Sequence, residues 1–253
     1  MNEIIVGAEP FYLQGKNKAG VLCLHGFTGT PWDFRELGSF LNVSGFSVSV
    51  PLLAGHGTCA KDLAKTRWQQ WYRSAEDAYK KLSKSCEKVY IVGISAGFNL
   101  GVLLANMNEV AGIISIGGNL VIRPKYNFAL AVAPYIKYIY PFFKKTYQEH
   151  RLDEAVRIKR VNYPVIPLAN AADLTNLTKA SRIAIETIAC SVHALVSKTD
   201  HVVSKKTQDI LIKYLGNRFT QKEFDNGYHV LIVDSKVKND AFREILSFIG
   251  KNE

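Results

Sequence analysis

Short apolar runs alternate with amphipathic segments along most of this chain. The runs of strand length occupy residues 21–24, 46–50, 89–92, 112–116, 192–196 and 218–224. Strands that alternate with helical segments are typical of a parallel sheet whose two faces are covered by helices. The pattern therefore predicts an α/β protein with a mostly parallel central sheet.

Helices are predicted between these runs. Within residues 66–82, Trp68, Trp71 and Leu82 fall at helical spacing. Pro31 is placed to begin a second helix, since proline favours the first helical turn. The remaining predicted helices span residues 96–107, 204–215 and 237–249.

One interval breaks the alternation. About 70 residues separate the run that ends near Gly118 from the strand that begins at Val192. Unstructured loops of that length are uncommon in compact domains, so we predict an insertion with helices of its own. We assign residues 1–118 and 190–253 to the core domain, and residues 119–189 to a cap over the strand ends.

The segment Gly93-Ile94-Ser95-Ala96-Gly97 lies where a predicted strand meets a predicted helix. Gly-x-Ser-x-Gly in this setting is the nucleophile elbow, a tight turn that exposes a serine hydroxyl. The residues two before and two after the serine approach the backbone so closely that only glycine fits. The N-terminus of the following helix favours developing negative charge. Ser95 is therefore the candidate nucleophile.

A serine hydroxyl needs a base to accept its proton and a carboxylate to orient that base. In chains with this elbow the order is serine, acid, histidine. We predict His229 as the general base, because it follows the last predicted strand and a turn, and its loop can reach back to Ser95. Among the other later histidines, His150 belongs to the cap, His193 falls inside a strand, and His201 remains a rival base.

Asp200 is the candidate acid, because it lies in the loop after the strand predicted at residues 192–196. Its role would be to accept the imidazole N–H, fix the tautomer and stabilise the imidazolium. Asp225 and Asp234 are rival acids. We interpret Asp225 as a turn former and Asp234 as a solvated residue at the end of its segment.

The tetrahedral intermediate of such a reaction needs backbone N–H donors for its oxyanion. One is expected at Ala96, the residue after the nucleophile. The second is expected in the loop after the first core strand, His25-Gly26-Phe27. Gly26 lets the backbone turn inward, which leaves the Phe27 N–H as the second donor.

The composition is that of an ordinary globular protein: 47% of the 253 residues are apolar, 21% are charged and the mean hydropathy is -0.01. No run reaches the roughly 18 apolar residues of a transmembrane helix. The N-terminal residues lack the basic start and apolar core of a signal peptide, so we expect a cytoplasmic protein. The four cysteines form no C-x-x-C pair or Cys/His cluster, so neither disulfide nor metal is expected.

The net charge of +10 is unevenly distributed. Residues 121–160 hold nine basic and three acidic residues, interspersed with eight aromatic ones. Such a mixture can suit nucleic acid or an anionic membrane surface. No nucleic-acid motif accompanies it, so we favour an apolar cap with a solvated basic outer face and expect no nucleic-acid partner. Weak association with an anionic membrane surface stays an alternative.

Together these features resemble the bacterial carboxylesterase and monoacylglycerol lipase group of the α/β-hydrolases. The matching segments are Glu9-Pro10-Phe11, His25-Gly26-Phe27-Thr28-Gly29-Thr30-Pro31, Pro51-Leu52-Leu53-Ala54-Gly55-His56-Gly57-Thr58, Trp68, Trp71, the elbow, Asp200-His201-Val202-Val203 and Tyr228-His229-Val230-Leu231. The resemblance covers nearly the whole chain outside most of the cap. It implies the α/β-hydrolase fold and the catalytic residues Ser95, Asp200 and His229. It also implies oxyanion donors at Phe27 and Ala96, a small helical cap over an acyl-binding pocket, and no cofactor.

The chain departs from that family at two places. Many relatives carry methionine and two glycines after the serine, where this chain has Ala96-Gly97-Phe98. Tyr228 stands where relatives usually have serine or glycine before the base. We expect the first change to alter packing behind the elbow and the second to alter the leaving-group side of the pocket. His56, which the family shares, is interpreted as a structural loop residue.

The leading hypothesis is a serine carboxylic-ester hydrolase for short-to-medium acyl esters or monoacylglycerols, acting through an acyl-enzyme. A thioesterase, an amidase and an acyltransferase use the same triad and remain alternatives. The non-enzymatic alternative is a ligand-binding receptor on a silent hydrolase fold, which loss of a triad residue would favour. The serine at the elbow disfavours a dehalogenase or an epoxide hydrolase, which carry aspartate there.

Overall fold

The computed structural model describes residues 2–121, 132–133, 135–145, 152–200 and 202–251 of the chain. In this part, nine strands form one sheet of seven strands and a separate antiparallel pair. The strands are β1 (Phe11–Leu13), β2 (Ala19–Leu24), β3 (Ser47–Val50), β4 (Lys88–Ile94), β5 (Gly112–Ile116), β6 (Phe142–Lys144), β7 (Val165–Pro167), β8 (Ser191–Ser197) and β9 (Phe219–Phe224).

The large sheet has the order β1-β3-β2-β4-β5-β8-β9. All neighbouring strands in it are parallel except β1, which runs antiparallel to β3 at one edge. Each of the six strands predicted from the sequence is present in this sheet. The prediction missed β1, because three residues are too few to show an apolar alternation.

The helices are α1 (Arg35–Val43), α2 (Ala60–Ala64), α3 (Trp68–Leu82), α4 (Ala96–Met107), α5 (Glu154–Lys159), α6 (Ala171–Ala184), α7 (Lys206–Leu215) and α8 (Lys238–Gly250). All the segments predicted to be helical outside the 119–189 interval are confirmed. The segment that begins with Pro31 starts as a 3-10 turn, Pro31–Phe34, and continues as α1. The Thr30 hydroxyl caps that turn by accepting the Trp32 N–H.

Two hydrophobic cores lie on opposite faces of the sheet, and β4 shows how the sequence builds both. Val89 and Ile91 pack into the core that also contains α3 and α4. Tyr90, Val92 and Ile94 pack into the core that contains α1 and α8. Successive side chains of a strand point to opposite faces, so a strand covered on both sides must be apolar throughout.

The 119–189 interval does not lie wholly over the strand ends. Its last helix, α6, packs beside α4 in the flanking layer, where Leu177 and Ala184 are buried. Asn99 on α4 donates hydrogen bonds to Ser181 Oγ at 2.5 Å and to the Asn119 carbonyl at 2.9 Å. These contacts fix both ends of the interval to the helix that follows Ser95.

Candidate active site

Ser95 lies in a strained turn between the end of β4 and the start of α4. Its φ of 50° and ψ of -113° place it in a region that non-glycine residues rarely adopt. Strain of this kind costs about 1–3 kcal/mol and persists only where neighbouring structure imposes it. Here the Ser95 N–H donates to the Ile116 carbonyl at 2.9 Å, and the Ser95 carbonyl accepts the Phe98 N–H at 3.0 Å.

The glycines on either side of Ser95 make this turn sterically feasible. A Cβ added to Gly93 would lie 2.5 Å from the backbone of Phe98, and one added to Gly97 would collide with the Leu24 carbonyl oxygen. Neither backbone can retreat, because both belong to elements packed in the core. The prediction that only glycine fits at these two positions is confirmed.

The predicted base and acid are in contact. His229 Nδ1 lies 2.7 Å from Asp200 Oδ2, and both side chains are largely buried. Asp200 Oδ1 accepts the backbone N–H groups of Val202 at 2.7 Å and Val203 at 3.1 Å. With Nδ1 donating to the carboxylate, Nε2 is the basic nitrogen of the ring.

The electrostatic setting of Asp200 keeps it ionised. Burial of the carboxyl opposes ionisation, but the charge of His229 and the hydrogen bonds from His229, Val202 and Val203 outweigh it. The net effect holds the pKa of Asp200 well below its usual range. The carboxylate is therefore available to stabilise an imidazolium at any neutral pH.

The C-terminal end of β5 contacts both the serine turn and the loop of the base. Ser95 is hydrogen-bonded to Ile116, and the next residue, Gly117, lies against His229. Gly117 has a φ of +55°, and a Cβ there would be 2.7 Å from His229 Cε1. The structure thus gathers Ser95, Asp200 and His229 at the carboxyl ends of β4, β5 and β8, where parallel sheets bind ligands.

The rival titratable residues have other partners. His193 is buried, its Nδ1 lies 2.7 Å from Thr220 Oγ1, and its ring stacks on Phe248. Asp225 is exposed and pairs with Lys198. His150 and His201 lie outside the described residues.

The interpretation of Asp234 as a solvated residue is wrong. Its side chain is buried, and its carboxylate accepts the N–H of Tyr228 at 2.7 Å and that of Lys236 at 3.1 Å. A carboxylate that binds two backbone donors fixes the local chain path. Asp234 therefore holds the loop on which His229 is carried.

The proposed oxyanion loop, residues 25–30, approaches Ser95 directly. A Cβ added to Gly26 would lie 3.5 Å from Ser95 Cβ. The loop turns sharply at Thr28, which has a φ of 64°, and a hydrogen bond from Gly29 N–H to the Gly26 carbonyl at 3.0 Å closes the turn. Ala96 is the first residue of α4, and the dipole at this helix N-terminus favours negative charge.

Two buried histidines, His25 and His56, pack against each other at this loop. His25 Nε2 accepts the Leu53 N–H at 3.2 Å, while Nδ1 lies 3.0 Å from the Gly26 carbonyl. Burial lowers the pKa of His25 to about 4 and that of His56 well below its usual value, so both rings are neutral. His56 contacts Ala54 through Nδ1 and stacks on Tyr163, as suits a structural loop residue.

Sequence reasoning missed a set of polar residues around the site. Asp33 and Arg160 form a buried ion pair across 127 positions of sequence. Tyr163, also in the 119–189 interval, accepts the Thr58 N–H with its hydroxyl. Among the residues that the structure covers, no group of three or more His, Cys, Asp or Glu side chains could hold a metal ion.

Comparisons with known proteins point to hydrolases. A model of the family described as serine aminopeptidase, S33, matches residues 15–236. The chain is 31% identical over 238 residues to a thermostable monoacylglycerol lipase of Bacillus sp. (strain H-257), with 91% of this chain and 90% of that protein covered. It is 24% identical to a carboxylesterase of Bacillus subtilis (strain 168), with 98% of each covered.

Solved structures share the architecture. One, from work on the metagenome-derived lipolytic enzymes LipS and LipT, matches with a TM-score of 0.88 and 26% identity over 98% of this chain and 100% of that one. A soluble variant of monoglyceride lipase from Saccharomyces cerevisiae matches with a TM-score of 0.79 and 19% identity over 96% and 90%. These matches confirm the α/β-hydrolase fold and its mostly parallel, helix-flanked sheet.

Proposed function

The chain belongs to the serine aminopeptidase, S33, family and is a carboxylesterase-type hydrolase, and we propose that it cleaves acyl esters with Ser95, Asp200 and His229. The observation that carries this proposal is the 2.7 Å contact between His229 Nδ1 and Asp200 Oδ2. It is made at the strand ends that also hold the strained serine turn. The order serine, acid, histidine along the chain is that of α/β-hydrolase triads.

In the proposed reaction, Ser95 Oγ attacks the ester carbonyl carbon while His229 Nε2 accepts its proton. The resulting oxyanion is stabilised by the N–H groups of Phe27 and Ala96. His229 then protonates the departing alcohol, which leaves an acyl-enzyme. Water, deprotonated by the same imidazole, releases the acid and regenerates the serine. Asp200 stabilises the imidazolium in both halves of the reaction.

We assign the substrate to the class of short-to-medium acyl esters and monoacylglycerols. Support comes from relatives named as a monoacylglycerol lipase and a carboxylesterase. The family description names an aminopeptidase, so amide hydrolysis is the second candidate. Thioester hydrolysis and acyl transfer would form the same acyl-enzyme. They differ from ester hydrolysis only in the leaving group or in the molecule that accepts the acyl group.

We propose that the cap consists of the part of the 119–189 interval that precedes α6. The β6–β7 pair and α5 lie in that part, whereas α6 packs against α4. In this arrangement the cap covers the acyl-binding pocket, and α6 belongs to the core. Exchange of cap residues that precede Arg160 should therefore change acyl-chain preference without unfolding the sheet.

The first prediction concerns hydrolysis of p-nitrophenyl esters, from acetate to palmitate, by the wild type and Ser95→Ala. We expect turnover with an optimum at short or medium chains, and loss of at least about 1000-fold in kcat on removal of the nucleophile. Ser39→Ala is the matched control, since this exposed serine lies on α1, and it should keep full activity.

Three results would contradict the proposal. Equal activity of the wild type and Ser95→Ala would exclude the serine mechanism. A wild type that is inactive on every ester but cleaves aminoacyl amides through Ser95 would assign the same triad to peptide hydrolysis. Inactivity on esters, thioesters and amides alike would favour the receptor hypothesis.

A further inference from the structure

One arginine from the cap interval lies between the two loops of the proposed active site. Arg160 follows α5, and its Nε and Nη2 donate to Asp33 Oδ1 and Oδ2 at 2.7 and 3.0 Å. The two side chains are only 7% and 1% exposed. Asp33 belongs to the 3-10 turn directly after the oxyanion loop, so this paired contact fixes the far end of that loop.

The same guanidinium reaches the loop of the base. Arg160 Nη1 lies 3.5 Å from the Tyr228 hydroxyl, and its Cζ lies 5.6 Å from the centre of that ring. Tyr228 precedes His229, and its own N–H is held by Asp234. The tyrosine that departs from the family pattern at this position is thus the acceptor for Arg160.

The residues after Arg160 continue along the oxyanion loop. Thr30 Oγ1 donates to the Val161 carbonyl at 2.6 Å, and the Tyr163 N–H donates to the Thr28 carbonyl at 2.9 Å. Thr28 is the residue with positive φ, so this bond fixes the strained part of the loop. We call residues 160–163 the strap.

The strap is anchored at its other end by Tyr163. Its hydroxyl donates to the Gly55 carbonyl at 3.0 Å and accepts the Thr58 N–H at 2.9 Å. The ring stacks on the buried His56. The strap therefore cannot shift without breaking contacts at both ends.

We propose that Arg160 is a positioning residue that holds the oxyanion loop and the base loop in register. The proposal rests on the function proposed above. An oxyanion hole acts only when its donors point at the developing charge, and an error of about 1 Å can cost 100-fold in rate. A rigid, planar, five-donor guanidinium suits this task better than a lysine ammonium.

The test compares four variants in kcat, KM and melting temperature. Arg160→Met removes the charge, and Arg160→Lys keeps it without the fork. Arg160→Met with Asp33→Leu removes both members of the pair. A buried charge without its partner is costly, whereas replacement of both charges by apolar groups restores stability. Arg157→Met is the matched control, because Arg157 is a half-exposed arginine of the neighbouring helix.

For Arg160→Met and Arg160→Lys we expect kcat to fall by about 10- to 100-fold with KM changed less than about threefold, since a displaced donor costs less than an absent one. A boronic acid that forms a tetrahedral serine adduct should bind more weakly by a similar factor. The double variant should regain the melting temperature while kcat stays low. Arg157→Met should match the wild type in every measurement.

Two results would overturn the role of Arg160. These are an unchanged kcat in folded Arg160→Lys, or a kcat that returns with the melting temperature in the double variant. The second result would assign the pair to stability alone. Should Arg160→Met fail to fold, the lysine and double variants decide the question. Activity that survives in Ser95→Ala would instead contradict the proposed function, so the two failures are distinguishable.

Discussion

Asp200 receives hydrogen bonds at both carboxylate oxygens, one from His229 and two from backbone N–H groups. Such a carboxylate orients the imidazole and also stabilises the loop that carries it. Asp200→Asn should separate these two roles, because asparagine keeps the shape of the side chain and loses its charge.

For Asp200→Asn we expect kcat to fall by about 10,000-fold, the loss typical when the orienting aspartate of a serine triad becomes asparagine. KM should change little. Asp225→Asn is the matched control, since this exposed aspartate lies on a nearby turn, and it should retain activity. Activity within tenfold of the wild type would show that another group orients His229.

The pH dependence of stability follows from the same residue. The pKa of Asp200 is lower in the folded protein than in the unfolded chain, where it is about 4. The ionised carboxylate therefore stabilises the fold above pH 4, and this contribution is lost as the pH falls toward the lower folded value. Between pH 6 and 3 the melting temperature of the wild type should fall further than that of Asp200→Asn. Parallel curves would contradict this.

Chain order and strand placement predicted His229 and Asp200 from the sequence, and the structure brings the two into contact. The same reasoning failed for Asp234, because burial cannot be read from a residue at the end of an apolar segment. Nothing marked Arg160, since its partner Asp33 lies 127 residues away and one sequence holds no signal of that pairing.

At the level of the elements, most of the strands and helices could be predicted from the sequence. Alternation of apolar runs and helical spacing was sufficient to predict six of the seven strands of the large sheet and the main helices that flank them. Short elements such as β1 and α2 carry too few residues for any period. The packing of α6 was also not predictable, because nothing in the sequence of the 119–189 interval indicated that this helix packs beside α4.

The β4–α4 junction depends on the close approach of two backbone segments, and Gly97→Ala tests this requirement. The added Cβ would meet the Leu24 carbonyl oxygen, so we expect the free energy of unfolding to fall by about 3 kcal/mol or more, as in severe overpacking. Gly250→Ala, at the end of α8 where a Cβ meets nothing within 4 Å, should leave stability unchanged or slightly raised. Urea unfolding measures both. An unchanged midpoint for Gly97→Ala would show that the elbow backbone can shift.

At the scale of the whole molecule, net positive charge is concentrated in residues 121–160, and most of the exposed aromatic side chains that the structure describes lie in residues 135–143. In the described residues 135–145, the side chains of Tyr135, Tyr138 and Tyr140 are exposed, and Lys137 lies 5.0 Å from the centre of the Tyr138 ring. We expected an apolar cap with a basic outer face. In the described residues 135–145, these aromatic side chains are also exposed. None of the helices covered by the structure has the length and apolar character to cross a bilayer.

We propose weak association of this surface with anionic membranes. The wild type should co-sediment with vesicles rich in phosphatidylglycerol at low salt, and lose binding near 0.5 M salt because ions screen exposed charges. Lys144→Glu in β6 should weaken binding more than Lys84→Glu, the same charge change on an exposed lysine outside the cap interval. Salt-independent binding, equal binding to neutral vesicles, or none at all would count against the proposal.

The order of the strands also bears on how the protein behaves in concentrated solution. Every open sheet ends in two rows of unpaired backbone groups, which can pair with another copy and begin aggregation. Here one border strand, β1, is only three residues long, and the other, β9, has an exposed stretch that includes Lys222 and Glu223. A very short border and a charged one are two of the devices by which sheets resist such pairing. The sheet that carries Ser95 at the end of β4 is thereby protected from growing by addition of further copies of the chain.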